Sequence, residues 1–321
     1  MADIVKPVHV NQQNNPQVQA PKPNPAPVQM SPQAQSLSMA KQMNNPNAPA
    51  DGNYVRGMNE LSQEQLELLT REIILPSKGQ LYNGLIPEGK IRIRMMKVAD
   101  TKLLFNNNIP QHERLNLLVQ KVLMNCNLAV EQLLMVDKFY IIIQSRILSL
   151  GDDYKYTITC PSCNHTNVIK MKLSEMEVRE LKDAGEPYVF QLPTANRRIY
   201  LKHMRVSDEV SSVTYLNSLK VKAEREGRKV GDEELISYTL ACQVHAIDGV
   251  TDDMSSKLDY INNMVSRDYE AIQNFLKSKD FGVTMELLKS CNKCLYDIYH
   301  SLPFDVEFFR PRITGESAHT E

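Results

Sequence analysis

The sequence has no tryptophan, little glycine and few cysteines, and it lacks any long hydrophobic run. Its 321 residues include 12 Gly and 6 Cys, and 37 Lys and Arg against 38 Asp and Glu give a net charge of −1. Six cysteines are too few for a disulfide scaffold. Balanced charge argues against a nucleic-acid-binding domain, which carries a basic excess. The longest apolar run, residues 139–143, is far shorter than the roughly 20 residues of a membrane span. Residues 1–10 lack the apolar core of a signal peptide, so we expect a protein of the cytoplasm.

The first 50 residues differ in composition from the rest of the chain. They contain nine Pro, eight Gln and seven Asn but only four charged residues, and proline recurs at every second position over 21–27. Such a segment buries too little apolar surface to offset the chain entropy lost on folding. We therefore predict a disordered N-terminal arm over residues 1–57, which acts either as a flexible tail or as a tether that orders on a partner.

From residue 58 onward the pattern is that of a folded chain with both helices and strands. Apolar residues from Leu115 to Cys126 recur at helical spacing and predict one amphipathic helix. The stretch 130–150 is apolar on most sides, which predicts a central buried helix. The other predicted elements are a helix from Ser62 that ends before Pro76, strands over 90–95, 154–159, 167–173, 188–192 and 198–202, helices with Ser207 as N-cap, over 232–247 and from Ser266, and extended segments over 283–287 and 295–309.

Two Cys-x-x-Cys pairs, Cys160 with Cys163 and Cys291 with Cys294, are the strongest functional signal. Each such turn supplies two thiolates, and four thiolates make the closed tetrahedral site of a structural zinc. Strand-favouring residues precede and follow both pairs, as in a zinc ribbon. Residues 164–290 between the pairs hold enough predicted structure to be an inserted region, so the pairs can still meet. The sequence predicts one structural Zn²⁺ on all four cysteines, with a redox pair or metal-free thiols as alternatives.

No other pattern points to catalysis. The chain has no phosphate-binding loop, dinucleotide fingerprint, His-Glu-x-x-His helix or Gly-x-Ser-x-Gly turn. A redox Cys-x-x-Cys stands at a helix N-terminus, whereas both pairs here stand between strands. The remaining candidates are His165 as a substitute ligand or loop histidine, Cys126 and Cys242 as buried hydrophobic residues, Arg92 and Arg94 as a solvated, ion-paired or phosphate-binding strand face, and the acidic pairs 152–153, 233–234 and 252–253 as solvated or capping carboxylates.

The order of several segments resembles the T4-type bacteriophage baseplate hub proteins. The segments that carry the resemblance are Leu75-Pro76-Ser77-Lys78-Gly79, Tyr82, the strand Ile91 to Met95, a helical block, the first cysteine pair, a strand-rich stretch with Leu192-Pro193, a second helical block, the second cysteine pair, and the ending from Leu302-Pro303-Phe304 to Phe308-Phe309-Arg310-Pro311. The resemblance covers residues 60–311 and does not include the Pro/Asn/Gln-rich arm.

The resemblance implies a structural component or assembly factor of a contractile-tail baseplate, in its hub, and not an enzyme. Its partners would be other baseplate and tail proteins, with no small-molecule substrate, membrane span or nucleic acid. It would be made in the host cytoplasm and located in the virion tail. We expect an α+β fold with helical blocks around a strand-rich zinc-ribbon-like part. The predicted regions are the arm 1–57, a helical region 58–151, a zinc-knuckle part 152–206 plus 280–313, an inserted helical region 207–279 and a tail 314–321.

A zinc-ribbon module that binds nucleic acid or the transcription machinery is the alternative function. Ribbons often serve there, but such a module would show a basic groove with stacking aromatic side chains. The two cysteine pairs are flanked by mixed charge instead.

Overall fold

The computed structural model describes residues 68–310, except 125, 230–231 and 305. The chain divides into two units, 1–60 and 61–321, and every described residue belongs to the second unit. This unit combines helices with small antiparallel sheets, which confirms the α+β prediction. The predicted arm 1–57, the tail 314–321 and the helix start at Ser62 lie outside the described residues.

A three-stranded antiparallel sheet opens the described fold. Its order is β1-β2-β3, and Thr70 lies opposite Arg94 at one end of the first pair. The helix predicted to run from Ser62 towards Pro76 is therefore wrong for residues 70–74. Three of these five residues are β-branched and favour a strand over a helix. The strands are β1 (Thr70–Ile74), β2 (Lys90–Arg94) and β3 (Leu123–Met124).

Three helices pack with this sheet around the first hydrophobic core. The third helix lies at its centre, as predicted, since Ile141, Ile142 and Ile143 are at most 2% exposed. The same helix also buries Asp137 and Arg146, which its apolar pattern did not indicate. The helices are α1 (Val98–Leu104), α2 (Gln111–Val122) and α3 (Met135–Leu150), with a short 3₁₀ turn over Val130–Gln132.

The turn after β1 is fixed by a buried polar network. The Ser77 backbone N–H donates to Asp137 Oδ1 at 3.2 Å, and the Tyr82 hydroxyl donates to Asp137 Oδ2 at 2.6 Å. The Tyr82 oxygen also accepts the backbone N–H of Leu134 at 3.0 Å. Burial raises the pKa of both Asp137 and Tyr82. These contacts explain why a buried serine and a tyrosine follow Pro76.

A hairpin and a short strand come next. Strands β4 and β5 pair over their full length, from Asp153 opposite Lys172 to Thr159 opposite Thr166. The turn between them contains the first cysteine pair. The strands are β4 (Asp153–Thr159), β5 (Thr166–Lys172) and β6 (Val178–Arg179).

The middle of the chain forms a second hydrophobic core. A three-stranded antiparallel sheet of order β7-β8-β9 packs there with helices. The last helix turns Tyr269, Ile272, Phe275 and Leu276 towards this core, as the sequence predicts. The elements are β7 (Tyr188–Gln191), β8 (Arg198–Leu201), α4 (Val206–Arg225), α5 (Asp232–Gln243), β9 (Val244–Ile247), α6 (Met254–Asn262) and α7 (Ser266–Ser278).

Two predictions for this region are wrong in detail, and one helix was not predicted. Ser207 is not an N-cap, because the Asp208 carboxylate accepts the backbone N–H of Arg205 at 2.9 Å and the helix begins at Val206. The helix over 232–247 ends at Gln243, because the next four residues pair with β8. Helix α6 was not predicted, although Asp253 is an ordinary N-cap for it.

The last described residues, up to 310, return to the first core. Strand β10 (Gly282–Val283) pairs with β6, and β11 (Glu286–Ser290) forms a hairpin with β12 (Asp297–Ser301). Phe308, in the 3₁₀ turn Val306–Phe309, is fully buried. Arg146 of α3 donates to the carbonyl oxygens of Phe308 and Asp153 at 3.3 and 3.0 Å. These hydrogen bonds fix the segment around Phe308 to helix α3.

No helix among the described residues is long and apolar enough to cross a membrane.

Candidate metal centre

The two cysteine pairs lie in turns of the same backbone conformation. The Cys160 N–H donates to the His165 carbonyl at 2.9 Å, and the Cys291 N–H donates to the Tyr296 carbonyl at 2.8 Å. Each turn joins two antiparallel strands, β4 to β5 and β11 to β12. The predicted strand–turn–strand setting is therefore present at both pairs, and neither stands at a helix N-terminus.

The residue after each second cysteine has left-handed backbone dihedrals. The φ angle is 54° at Asn164 and 61° at Leu295. The N–H groups of these two residues donate back to the carbonyls of Cys160 and Cys291, at 2.9 and 3.0 Å. Such a turn points both thiols of a pair to the same side. We call the two turns, residues 160–165 and 291–296, the first and second knuckle.

The two knuckles face each other and bring the four thiols into one cluster. The Sγ atoms of Cys160, Cys163, Cys291 and Cys294 all lie within 4.8 Å of one another. Cys160 and Cys291 are fully buried, whereas Cys294 is exposed. Two separations between the knuckles are 3.6 Å, from Cys160 Sγ to Cys294 Sγ, and 3.7 Å, from Cys163 Sγ to Cys291 Sγ.

These separations fit a metal ion and exclude a disulfide bond in the structure. A disulfide joins sulfurs at about 2.05 Å, and all four cysteines are free thiols here. Zinc–thiolate bonds of about 2.3 Å in a tetrahedron put neighbouring sulfurs about 3.8 Å apart. The observed separations between knuckles are close to this tetrahedral edge, so the four cysteines could hold one metal ion.

The electrostatics of the thiols favour a bound cation. Burial raises the pKa of Cys291, but N–H groups of Cys294 and Lys293 and the Asn167 amide outweigh it and lower that pKa to about 6. The His165 N–H lowers the pKa of Cys163, yet burial and the three neighbouring thiols raise it to about 12. The cluster therefore combines one thiol that ionises readily with one whose proton is held by burial and by its neighbours. A metal ion binds thiolates, so its binding would displace that proton.

Asn167 joins the two knuckles, and the sequence interpretation did not single it out. Its amide donates to Cys291 Sγ at 3.5 Å and to the His165 carbonyl at 3.1 Å, and its Oδ1 accepts the Asn292 N–H at 2.8 Å. The side chain is fully buried. A signal was present, because Asn167 occupies an inward position of a strand, where an amide needs polar partners.

The other sequence candidates lie elsewhere. The His165 side chain is not part of the thiol cluster, and Cys242 is buried as predicted, whereas Cys126 is half-buried. Arg94 is an ion-paired residue, with a 2.7 Å contact to Asp100. Asp253 accepts the backbone N–H of Ser256, and Asp152 accepts that of Ser174, so two of the acidic pairs supply capping or turn groups. The side chains of the third pair, 233–234, lie outside the described part of the structure.

One comparison identifies the chain. No curated protein and no solved structure is similar enough to count as a match. A family model described as T4 bacteriophage base plate protein matches residues 69–310. This range runs from the start of β1 to the end of the described fold and includes both knuckles. The chain therefore belongs to the T4 bacteriophage base plate protein family.

Proposed function

We propose that the chain acts in the hub of a contractile-tail baseplate, as a permanent subunit or as an assembly factor. The observation that carries the proposal is the family match over the whole described fold. Fixed packing between distant segments supports it, because a part that transmits force between neighbours needs a rigid body more than a cleft. In this proposal the partners are other baseplate and tail proteins. The site of action is the virion tail, after synthesis in the host cytoplasm, and the chain has no catalytic role.

The hub assignment can be tested by location and by deletion. A phage that carries a short epitope on the chain would yield baseplates in which an antibody label marks the central axis. A label at the periphery would contradict the hub assignment. For an assembly factor, finished particles would carry no label, but infection without the chain would yield no complete baseplates. Normal baseplates without the chain would contradict both versions.

We further propose that the four clustered cysteines hold one structural zinc ion per chain. The inter-knuckle sulfur separations and the all-thiol donor set support this choice, because zinc favours four thiolates in closed structural sites. Bound zinc would join segments 128 and 134 residues apart in sequence. A closed site offers no open position for substrate, so its contribution would be to stability, of order 10 kcal/mol in apparent terms.

Metal analysis of the purified full chain tests the zinc proposal. We expect one zinc per chain by elemental mass spectrometry, and a Cys294→Ser variant that loses most of it. Cys126→Ser is the matched control, since Cys126 is a free thiol outside the cluster. Protein purified without chelator that contains no metal, with all six thiols titratable, would refute the proposal.

The regional division stays a proposal, and the packing favours one refinement. The second core joins the hairpin β7–β8 with α5, α6 and α7. We propose that the inserted region includes this hairpin and so begins near Tyr188 instead of residue 207. Limited proteolysis that releases a stable fragment with a start before Tyr188 would support the refinement, and a start near 207 would support the original boundary.

A further inference from the structure

The second-knuckle hairpin carries a cluster of exposed apolar side chains. Leu288 is 56% exposed and Tyr299, directly opposite it on the partner strand, is 79% exposed. Leu295 and Tyr296, in the knuckle of the same hairpin, are 79% and 49% exposed. We call these four residues the second-knuckle patch. Four large apolar side chains on one short hairpin are typical of a protein contact surface.

Leu295 is unfavourable in the isolated chain. Its φ of 61° is a left-handed conformation, in which a side chain with a Cβ is disfavoured and asparagine is tolerated best. The equivalent residue of the first knuckle is Asn164, with a φ of 54°. Leu295 gains no burial in return, because it is largely exposed. A strained, exposed leucine where the sister turn has asparagine indicates that its side chain contacts another molecule.

The first hairpin presents the opposite chemistry on its outer face. Lys155 and Lys170 are exposed and lie directly opposite each other across β4 and β5. Lys172 is exposed on the same face, opposite the exposed Asp153, and Val168 is 45% exposed two residues before Lys170. Like charges on directly opposed residues destabilise a sheet. Neither Lys155 nor Lys170 forms an ion pair among the described residues. We call Lys155, Val168, Lys170 and Lys172 the lysine face.

The second-knuckle patch has carboxylates where the lysine face has amines. Glu286 and Asp297 are exposed on the same side of the second hairpin as Tyr299. The inner faces of the two hairpins meet, with 2.7 Å between Tyr156 Oη and His300 Nε2. Because side chains alternate along a strand, the outer faces turn away from this contact. A chain therefore cannot place its own patch on its own lysine face, but a second copy can.

We propose that the second-knuckle patch of one copy docks on the lysine face of the next copy. The contact is head-to-tail, so a dimer keeps one free patch, on one copy, and one free lysine face, on the other, and further copies can add to form rings or linear arrays. Apolar side chains around Leu295 would cover Val168, while Glu286 and Asp297 approach the opposed lysines. The proposal concerns self-association and holds independently of a hub location. Two hairpin faces are smaller than a standard interface, so we expect association in solution at the high end of the concentration range.

Sedimentation velocity of the full, zinc-loaded chain over a wide concentration range tests the association. We expect reversible growth beyond a dimer, which weakens with added salt. Leu295→Asn, which copies Asn164, should weaken association about tenfold or more while zinc content and melting temperature stay unchanged or rise. Val98→Asn is the control, because Val98 is 74% exposed outside both surfaces. Wild-type protein that stays monomeric throughout would overturn the proposal.

A mixing experiment tests which two surfaces meet. One variant combines Leu295→Asn with Tyr299→Ser and lacks only the patch. The other combines Lys155→Glu with Lys170→Glu and lacks only the lysine face. Each should be monomeric alone, and the mixture should form a one-to-one dimer, because each supplies the surface that the other lacks. Monomers in the mixture, or normal self-association of the lysine variant, would overturn the pairing. The pairing would also be overturned if the wild-type chain bound an oligonucleotide through Lys155 and Lys170 and the lysine variant lost that binding but self-associated normally.

Discussion

At the scale of single residues, the metal centre depends on groups that surround the cysteines. Each knuckle contributes one fully buried cysteine, and Asn167 reaches from the first hairpin to Cys291 and to the backbone of Asn292. An amide that donates to a thiolate both stabilises its charge and fixes its position. The four ligands were predictable because their spacing is a strong pattern. The inward position of Asn167 indicated a need for polar partners, but those partners, Cys291 and Asn292, are about 125 residues away and only the fold identifies them.

Replacing Asn167 tests whether it supports the metal site. We expect Asn167→Ala to lower zinc affinity about tenfold or more, because neighbours that orient ligands typically contribute this much. Competition with a chromophoric chelator measures the affinity. Asn292→Ala is the control, since Asn292 contributes its backbone N–H and not its side chain. Equal zinc affinity in both variants would show that Asn167 only fills space.

The buried ion pair between Arg94 and Asp100 gives a pH-dependent prediction. Burial raises the pKa of Asp100, but hydrogen bonds from Arg94 and the Lys97 N–H outweigh it and lower the pKa below 3.8. A lowered folded-state pKa adds stability above the unfolded value, and that stability is lost as pH falls through the folded pKa. Asp100→Asn should cost about 3 kcal/mol of unfolding free energy near neutral pH, because the buried Arg94 guanidinium loses the opposite charge of the carboxylate.

Urea unfolding of wild type and Asp100→Asn at several pH values measures this loss. The difference between them should shrink as pH falls below about 4, because the unfolded carboxyl takes up a proton there, whereas the folded carboxyl with its lowered pKa does so only at lower pH. Asp183→Asn removes an exposed pair with Lys279 and should have a much smaller effect. A loss from Asp100→Asn that does not vary with pH would contradict the electrostatic explanation.

At the scale of elements, the helices and strands with a regular alternation of apolar and polar residues were predicted correctly from the sequence. The apolar stripe of α2 and the alternation of β2, β4 and β5 are properties of a few neighbouring residues. Elements set by distant partners were missed or misplaced. Strand β9 directly continues helix α5 in sequence, and it is a strand only because β8 offers it a free edge. Residues 70–74 differ from β9, because their β-branched side chains favour a strand locally as well as through pairing with β2.

The tight turn between β1 and β2 gives a prediction with an internal control. Gly79 has a φ of +74°, and a Cβ there would lie 2.0 Å from the Ile86 carbonyl oxygen. Gly84 has a φ of +79° with nothing within 4 Å. Both Ala substitutions meet the left-handed strain, but only Gly79→Ala also forces two backbone segments apart. We expect Gly79→Ala to lower the unfolding free energy by at least about 2 kcal/mol more than Gly84→Ala.

Chemical denaturation of the two variants side by side decides this point. Equal losses would mean that the Ile86 carbonyl moves aside at little cost. The requirement for glycine at position 79 would then come from its backbone dihedrals alone.

At the scale of the whole molecule, the fold connects segments that are far apart in sequence. Arg146 of α3 donates a hydrogen bond to the Phe308 carbonyl, and Asn167 accepts one from the second knuckle. Strand β6 pairs with β10. The sequence predicted one such connection, because the two cysteine pairs were expected to meet across the inserted region. The packing of Phe308 against α3 could not be predicted from the sequence. The buried Arg146 is a charged residue in an apolar helix face, and hydrophobic patterns do not predict such a residue.

Removal of the N-terminal 57 residues should leave folding intact. Both hydrophobic cores of the described residues are built from residue 73 onward, and the first 50 residues offer little apolar surface. We expect the truncated chain to keep its zinc content and its thermal unfolding midpoint. A truncated chain that aggregates, or that melts at a much lower temperature, would show that these residues contribute to the core.

The most direct test of the account is quantitative mass spectrometry of purified phage particles beside lysate of infected cells. A permanent baseplate subunit predicts a fixed, low copy number per particle that scales with other tail proteins. An assembly factor predicts abundance in lysate and in tail intermediates with absence from finished particles. Detection in neither tail-related fraction would contradict a baseplate role for this chain.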